Sequence, residues 1–202
     1  MTTRVLIAFY SRGGVTEALA KAIAEGAVAA GAEVRLRRAR EFVGEDVMKQ
    51  APGWREGAKR MNALYEAPTE ADAEWADAIV FGTPTRFGSM TAELKAYIDS
   101  LGGLWFKGAL VGKAGSAFAS TSTLHGGNEM TVTSLYAPMA HLGLILVPTG
   151  YADPALFKAG TPYGASSVSG GNGALPGADD LEVARFQGKR VTRVAAALKA
   201  AR

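Results

Sequence analysis

The chain has 202 residues, 48% of them hydrophobic, with a net charge of +3, which suits one domain over 1–202 with a full core. Cysteine is absent and only two histidines occur, which excludes disulfides, thiolate nucleophiles and thiolate metal sites and leaves little for any other metal. No apolar run approaches the roughly 18 residues of a membrane span and no signal-peptide pattern opens the chain, so a cytoplasmic protein with no membrane partner is expected.

Val5 to Tyr10 is an unbroken apolar run, the pattern of a parallel strand buried on both faces. It runs into Ser11-Arg12-Gly13-Gly14-Val15-Thr16. Beyond, Leu19, Ala22, Ile23, Gly26, Ala27 and Ala30 follow helical spacing up to Gly31. A helix N-terminus offers unpaired N–H groups, and glycines let the backbone curl round an anion, so the loop reads as a phosphate cradle made without lysine. A Walker A loop is excluded, because Val15 and Thr16 follow Gly14 where Lys and Ser/Thr are needed. A dinucleotide fingerprint is excluded too, because only the adjacent pair Gly13 and Gly14 occurs. Taken alone, the loop fits equally well a plain strand-to-helix turn with Ser11 or Thr16 as N-cap.

A second, more exposed strand is expected over Glu33 to Ala39. Its cluster Arg35-Leu36-Arg37-Arg38-Ala39-Arg40 reads as the solvated end of a strand, and nucleic acid is set aside because no aromatic interleaving or nucleic-acid module accompanies it. Residues 41–70 break the pattern with Pro52, Gly53, Gly57 and Pro68, and their scattered aromatics suggest a packed cover. Ala78 to Gly82 is a third strand, leading into the donor-rich turn Thr83-Pro84-Thr85-Arg86-Phe87-Gly88. A helix through Leu94, Tyr97, Ile98 and Leu101 stops at Gly102-Gly103, ahead of Leu104-Trp105-Phe106.

Lys113 to Ala119 forms a fourth strand and ends in Ser120-Thr121-Ser122-Thr123-Leu124-His125-Gly126-Gly127. A helix with Leu135, Met139 and Leu142 carries His141, and Gly143 to Pro148 is a fifth strand. Residues 149–178 have the composition of a flexible linker, yet they join elements of one domain, which favours a loop ordered by contacts. A last helix begins at about Asp179. Strands alternating with helices imply a parallel sheet with right-handed crossovers, so the loops after strands one, three and four meet at one sheet edge, where such sheets bind ligands.

Phe81 to Gly88, Gly102-Gly103-Leu104-Trp105 and Gly160-Thr161-Pro162-Tyr163-Gly164-Ala165 resemble the WrbA family of flavodoxin-like, FMN-dependent NAD(P)H:quinone oxidoreductases, over nearly the whole chain. The resemblance implies an α/β, doubly wound, five-stranded parallel sheet of order 2-1-3-4-5 with helices on both faces. It implies FMN, with Ser11 to Thr16 on the phosphate, and with Thr83 to Gly88 and Ser120 to His125 around the ring. His141 faces the cofactor as a candidate proton donor, and Trp105 lines the substrate side. It also implies NADH or NADPH as reductant, a quinone as acceptor and a homotetramer. Read from the residues alone, Arg86 equally suits a salt bridge, Trp105 a core position and His141 a structural role.

The chain departs from the family pattern at Gly13, where an aromatic associated with nicotinamide contact is usual. It departs again in the longer loop after strand four, with Leu124 and His125. Two other classes remain open: a flavodoxin-type electron carrier, and a binding or regulatory protein without turnover.

Overall fold

The computed structural model describes residues 2–201. Strand β1 spans Thr3–Phe9, and Val5 to Tyr10 are all fully buried, as an apolar run between two layers of helix requires. Alternation along it divides the core. Val5, Ile7 and Phe9 join one cluster with helices α1 (Val15–Ala29) and α8 (Ala178–Ala200), while Leu6 and Ala8 join the other with α5 (Ala92–Ser100) and α7 (Asn128–His141).

The sheet is parallel throughout, in the order β2-β1-β3-β4-β5, with β2 at Ala32–Arg38, β3 at Ala78–Pro84, β4 at Ala114–Thr121 and β5 at Ile145–Leu146. This is the flavodoxin-like order, with helices on both faces. Helices α1 and α8 touch backbone to backbone: a Cβ on Gly26 would lie 2.0 Å from the Arg185 carbonyl oxygen, and one on Gly188 2.0 Å from that of Ile23. Two glycines at one crossing therefore set the helix separation.

The fifth strand differs from the expected Gly143 to Pro148. Only Ile145 and Leu146 pair with β4, opposite Ala114 and Gly115, and the same edge resumes as β6 (Ser166–Val168) opposite Ala119 to Thr121. Pro148 has no N–H to donate, and the chain leaves the sheet there. Gln187 of α8 fills the gap: its Nε2 donates to the Ala117 carbonyl (2.8 Å) and Ser116 Oγ (2.7 Å), and its Oε1 accepts from the Ala165 N–H (2.9 Å). One buried side chain thus stands in for the missing strand backbone.

Residues 41–70 fold into α2 (Glu45–Met48), α3 (Trp54–Leu64) and the start of α4 (Glu70–Trp75). Thr69 and Asp72 cap α4 reciprocally, a signal present in the sequence as Thr-x-x-Asp. The arginine cluster ties these helices down rather than facing solvent. Arg35 and Arg37 bind Asp72, Arg38 is fully buried, and Arg40 reaches Asn62 Oδ1 and the Tyr65 carbonyl.

Candidate active site

The loops that follow β1, β3 and β4 meet in one cavity of about 490 Å³, within the usual range of small-molecule sites. The first loop contributes Ser11, Arg12, Gly13, Val15 and Thr16, the second Pro84, Thr85 and Arg86, and the third Ser120, Thr121 and Ser122. Hydrogen bonds lock them together. Thr16 Oγ1 and Ser120 Oγ lie 2.8 Å apart, and the Thr85 N–H donates to the Ser120 carbonyl at 2.8 Å.

Gly14 is the N-cap of helix α1, in the left-handed region with φ 95°, and among the described residues no side chain caps the helix. Ser11 Oγ accepts instead from the Gly14 N–H at 3.1 Å, so the first-turn amides of α1 have no side-chain partner. The cavity wall contains two guanidiniums, Arg12 and Arg86, and no carboxylate. Uncapped amides, converging hydroxyls and positive charge in a wall without a carboxylate fit a phosphate monoester, with Glu17 of the first turn facing the adjoining cavity instead.

Beneath the loop the Arg38 guanidinium donates to the Ser11 carbonyl at 2.9 Å and to Asn62 Oδ1 at 2.6 Å, and pairs with the equally buried Glu41 carboxylate. Burial, with the carboxylates of Glu93 and Glu41 nearby, pushes the adjacent Tyr10 phenol up to about 12, so it stays neutral.

Several sequence-predicted residues lie elsewhere. Gly14 borders a neighbouring cavity with Glu17, Lys21 and Arg60, because a Cβ there would point at Leu175 and the Glu17 carboxylate rather than into the cradle. Thr83 is buried, and its hydroxyl accepts from the Thr91 N–H at 3.0 Å, steadying the start of α5. Phe87 and Gly88 form the tip of a tight turn closed by paired backbone bonds between Arg86 and Ser89. Both tip residues have positive φ, 54° and 79°, and the Phe87 ring is fully exposed. A bulky residue held there is strained, a feature that clusters at ligand sites. Thr123, Leu124 and His125 sit in an exposed turn beyond the cavity.

His141 and Trp105 do come together, but beside a separate cavity of about 480 Å³, between α5, α7 and helix α6 (Gly102–Phe106). Within one chain they do not line the larger cavity.

Two groups of lining residues escaped the sequence reading. Pro52, Gly53 and Trp54 come from the excursion before α3, and Ser169, Asn172 and Gly173 from the loop after β6. The Ser169 N–H and hydroxyl both donate to the Thr121 carbonyl, at 2.8 and 3.2 Å, which draws that loop over the cavity.

A doubly wound sheet whose first βα loop offers uncapped amides and hydroxyls to an anion is the architecture of flavodoxin-like FMN proteins. The chain belongs to the NADPH-dependent FMN reductase family, which matches residues 1–155. It is similar over 97% of its length, at 26% identity and a TM-score of 0.68, to 99% of a flavodoxin, WrbA-like protein from Agrobacterium tumefaciens. A flavodoxin from the domain Archaea shares the fold at 17% identity and a TM-score of 0.61, over 96% of this chain and 99% of that one. So does 37% of the rubredoxin oxygen:oxidoreductase of Desulfovibrio gigas, over 98% of this chain at 18% identity and a TM-score of 0.62. The protein is accordingly an FMN-dependent oxidoreductase of the reductase family, with a nicotinamide as the fitting reductant.

Proposed function

We propose that the protein is a WrbA-type NAD(P)H:quinone oxidoreductase, in which NAD(P)H and a proton reduce a quinone to its hydroquinone. The observation that carries this reading is the cavity of about 490 Å³ where three strand-end loops bring hydroxyls and two guanidiniums together without a carboxylate. When bound, FMN supplies two-electron redox chemistry, which the side chains of a chain without cysteine do not.

The chain's own residues bind, orient and exclude water. Ser11, Thr16 and Ser120 with the α1 amides hold the phosphate. Thr85 and Arg86, with the loop at Thr121 and Ser122, hold the polar edge of the ring, and the exposed Phe87 covers its apolar part. His141 moves a proton to the quinone oxygen and Trp105 stacks on the quinone. Since these two lie off the larger cavity in one chain, we place them against the flavin end of a neighbouring copy in a homotetramer. Exposed Trp105, Phe106, Phe87, Leu124 and Met130 supply apolar surface for such contacts.

Mixing yellow holoprotein with NADPH under anaerobic conditions, then adding benzoquinone, tests the reading. Bleaching by NADPH and recovery with quinone are expected. Flavin that never bleaches would instead indicate a carrier or a binding protein.

A further inference from the structure

We infer that Trp54 and Arg12 form a stacked phosphate clamp, through which the excursion at 41–70 helps this chain to discriminate FMN from phosphate-free flavin. This rests on the placement of the FMN phosphate at the Ser11–Thr16 loop.

The geometry begins with α3, which packs directly on the phosphate loop: a Cβ on Gly57 would lie 3.4 Å from the Arg12 carbonyl oxygen. That approach sets Trp54, the first residue of α3, beside the loop, with its ring centroid 3.6 Å from the Arg12 guanidinium carbon. Both side chains line the larger cavity. Among the described residues Arg12 has no hydrogen bond or ion pair, and the Trp54 indole Nε1 is buried with no partner. Arg12 is half-buried, and the described cavity wall offers its guanidinium no carboxylate, so it is left to donate to an anion at the loop after β1.

The stack also solves a chemical problem. A loop of hydroxyls and amides carries no full charge, whereas a phosphate monoester is close to dianionic at neutral pH. A lone surface arginine would be well hydrated and mobile. Laid on an indole face, the guanidinium is partly desolvated and held in one orientation, so its charge acts at the cavity. The excursion therefore contributes an aromatic wall and, through it, a fixed cation.

The test is titration of the apoprotein with FMN and with riboflavin, followed by flavin fluorescence. The wild type should bind FMN much more tightly than riboflavin. Arg12→Ala should weaken FMN about tenfold or more, and Trp54→Leu about fivefold, while riboflavin affinity changes less than about twofold in each. Trp54→Phe, which keeps a ring face, should restore most of the FMN affinity. Raising salt from about 0.01 M to about 1 M shortens the Debye length from about 30 Å to about 3 Å and should weaken FMN binding more in the wild type than in Arg12→Ala.

FMN affinity unchanged in both variants overturns the clamp, even if the KM for NADPH rises, since the stack would then serve the nicotinamide's phosphates. Equal losses of FMN and riboflavin overturn it as well, because the stack would then only support the fold. A wild type that binds FMN no better than riboflavin would refute the phosphate placement itself.

Discussion

The Arg38 guanidinium, fully buried, donates at 2.9 Å to the carbonyl oxygen of Ser11, the first residue of the loop between β1 and α1 that we assign to the phosphate. Turning that carbonyl down into the protein leaves the amides and hydroxyls of the loop facing the cavity. The cation is tolerated there because Glu41 is buried beside it and Asn62 accepts a further bond. Removing Arg38 alone strands the Glu41 charge. Arg38→Met should cost about 3–5 kcal/mol in denaturant unfolding, and Arg38→Met with Glu41→Gln should cost less than the single change. A double variant as unstable as Arg38→Met would mean that the pair is not what matters.

Gln187 closes the break in the fifth strand, and its loss should be felt at two backbone groups. Gln187→Leu leaves the Ala117 carbonyl and the Ala165 N–H buried and unpaired, which at about 1–3 kcal/mol for each group should cost about 2–6 kcal/mol. Amide exchange at Ala165 should accelerate in the variant more than exchange in β1. Equal acceleration everywhere would place the damage in the global fold instead.

Glu17 predicts the acid limb of stability. Burial alone would raise its pKa. Hydrogen bonds from Arg60 and Tyr65 and the Lys21 ammonium outweigh burial and bring its carboxyl from 4.5 down to about 2. A folded value below the unfolded one means that the ionised carboxylate stabilises the fold above about pH 4.5. That contribution disappears as pH falls towards 2. Glu17→Gln should therefore be less stable at neutral pH and lose less on acidification over this window, measured as the denaturation midpoint against pH. Parallel curves for the two proteins would assign the acid limb to other carboxylates.

The elements that were legible in the sequence are those whose signal is local. The apolar run of β1 and the hydroxyl and glycine residues after three strands needed no knowledge of distant partners, and parallel connectivity brought those loops to one edge. What was hidden depends on packing between segments far apart in the chain. Trp54 reaches the cavity only because α3 docks on Arg12, and although the sequence favours a 149–178 segment ordered by contacts, which contact orders it is visible only in the Ser169 bonds to Thr121. Gln187 looks like any polar residue on a helix. Thr83 illustrates the opposite error, since a donor-rich turn suggested a ligand contact where the hydroxyl serves the backbone of Thr91.

Gly14 and Gly13 separate backbone geometry from charge at the cradle. A Cβ on Gly13 would meet no atom within 4 Å, and its φ is not positive, so Gly13→Ala should fold with a stability change within about 0.5 kcal/mol. Gly14 has φ 95°, and Gly14→Ala should cost about 1–2 kcal/mol from strain alone. Asparagine and aspartate both tolerate that region better than alanine and are nearly the same size. Comparing Gly14→Asn with Gly14→Asp therefore isolates one negative charge beside the Glu17 carboxylate and the α1 N-terminus. A Cβ on Gly14 lies 3.9 Å from Glu17 Oε2, so like-charge repulsion of about 1–4 kcal/mol should make the aspartate variant less stable than the asparagine one, and its charge at the α1 N-terminus should weaken a phosphate held on the same amides about threefold. Equal FMN affinity in the two variants, read by fluorescence titration of the apoproteins, would move the phosphate away from this loop.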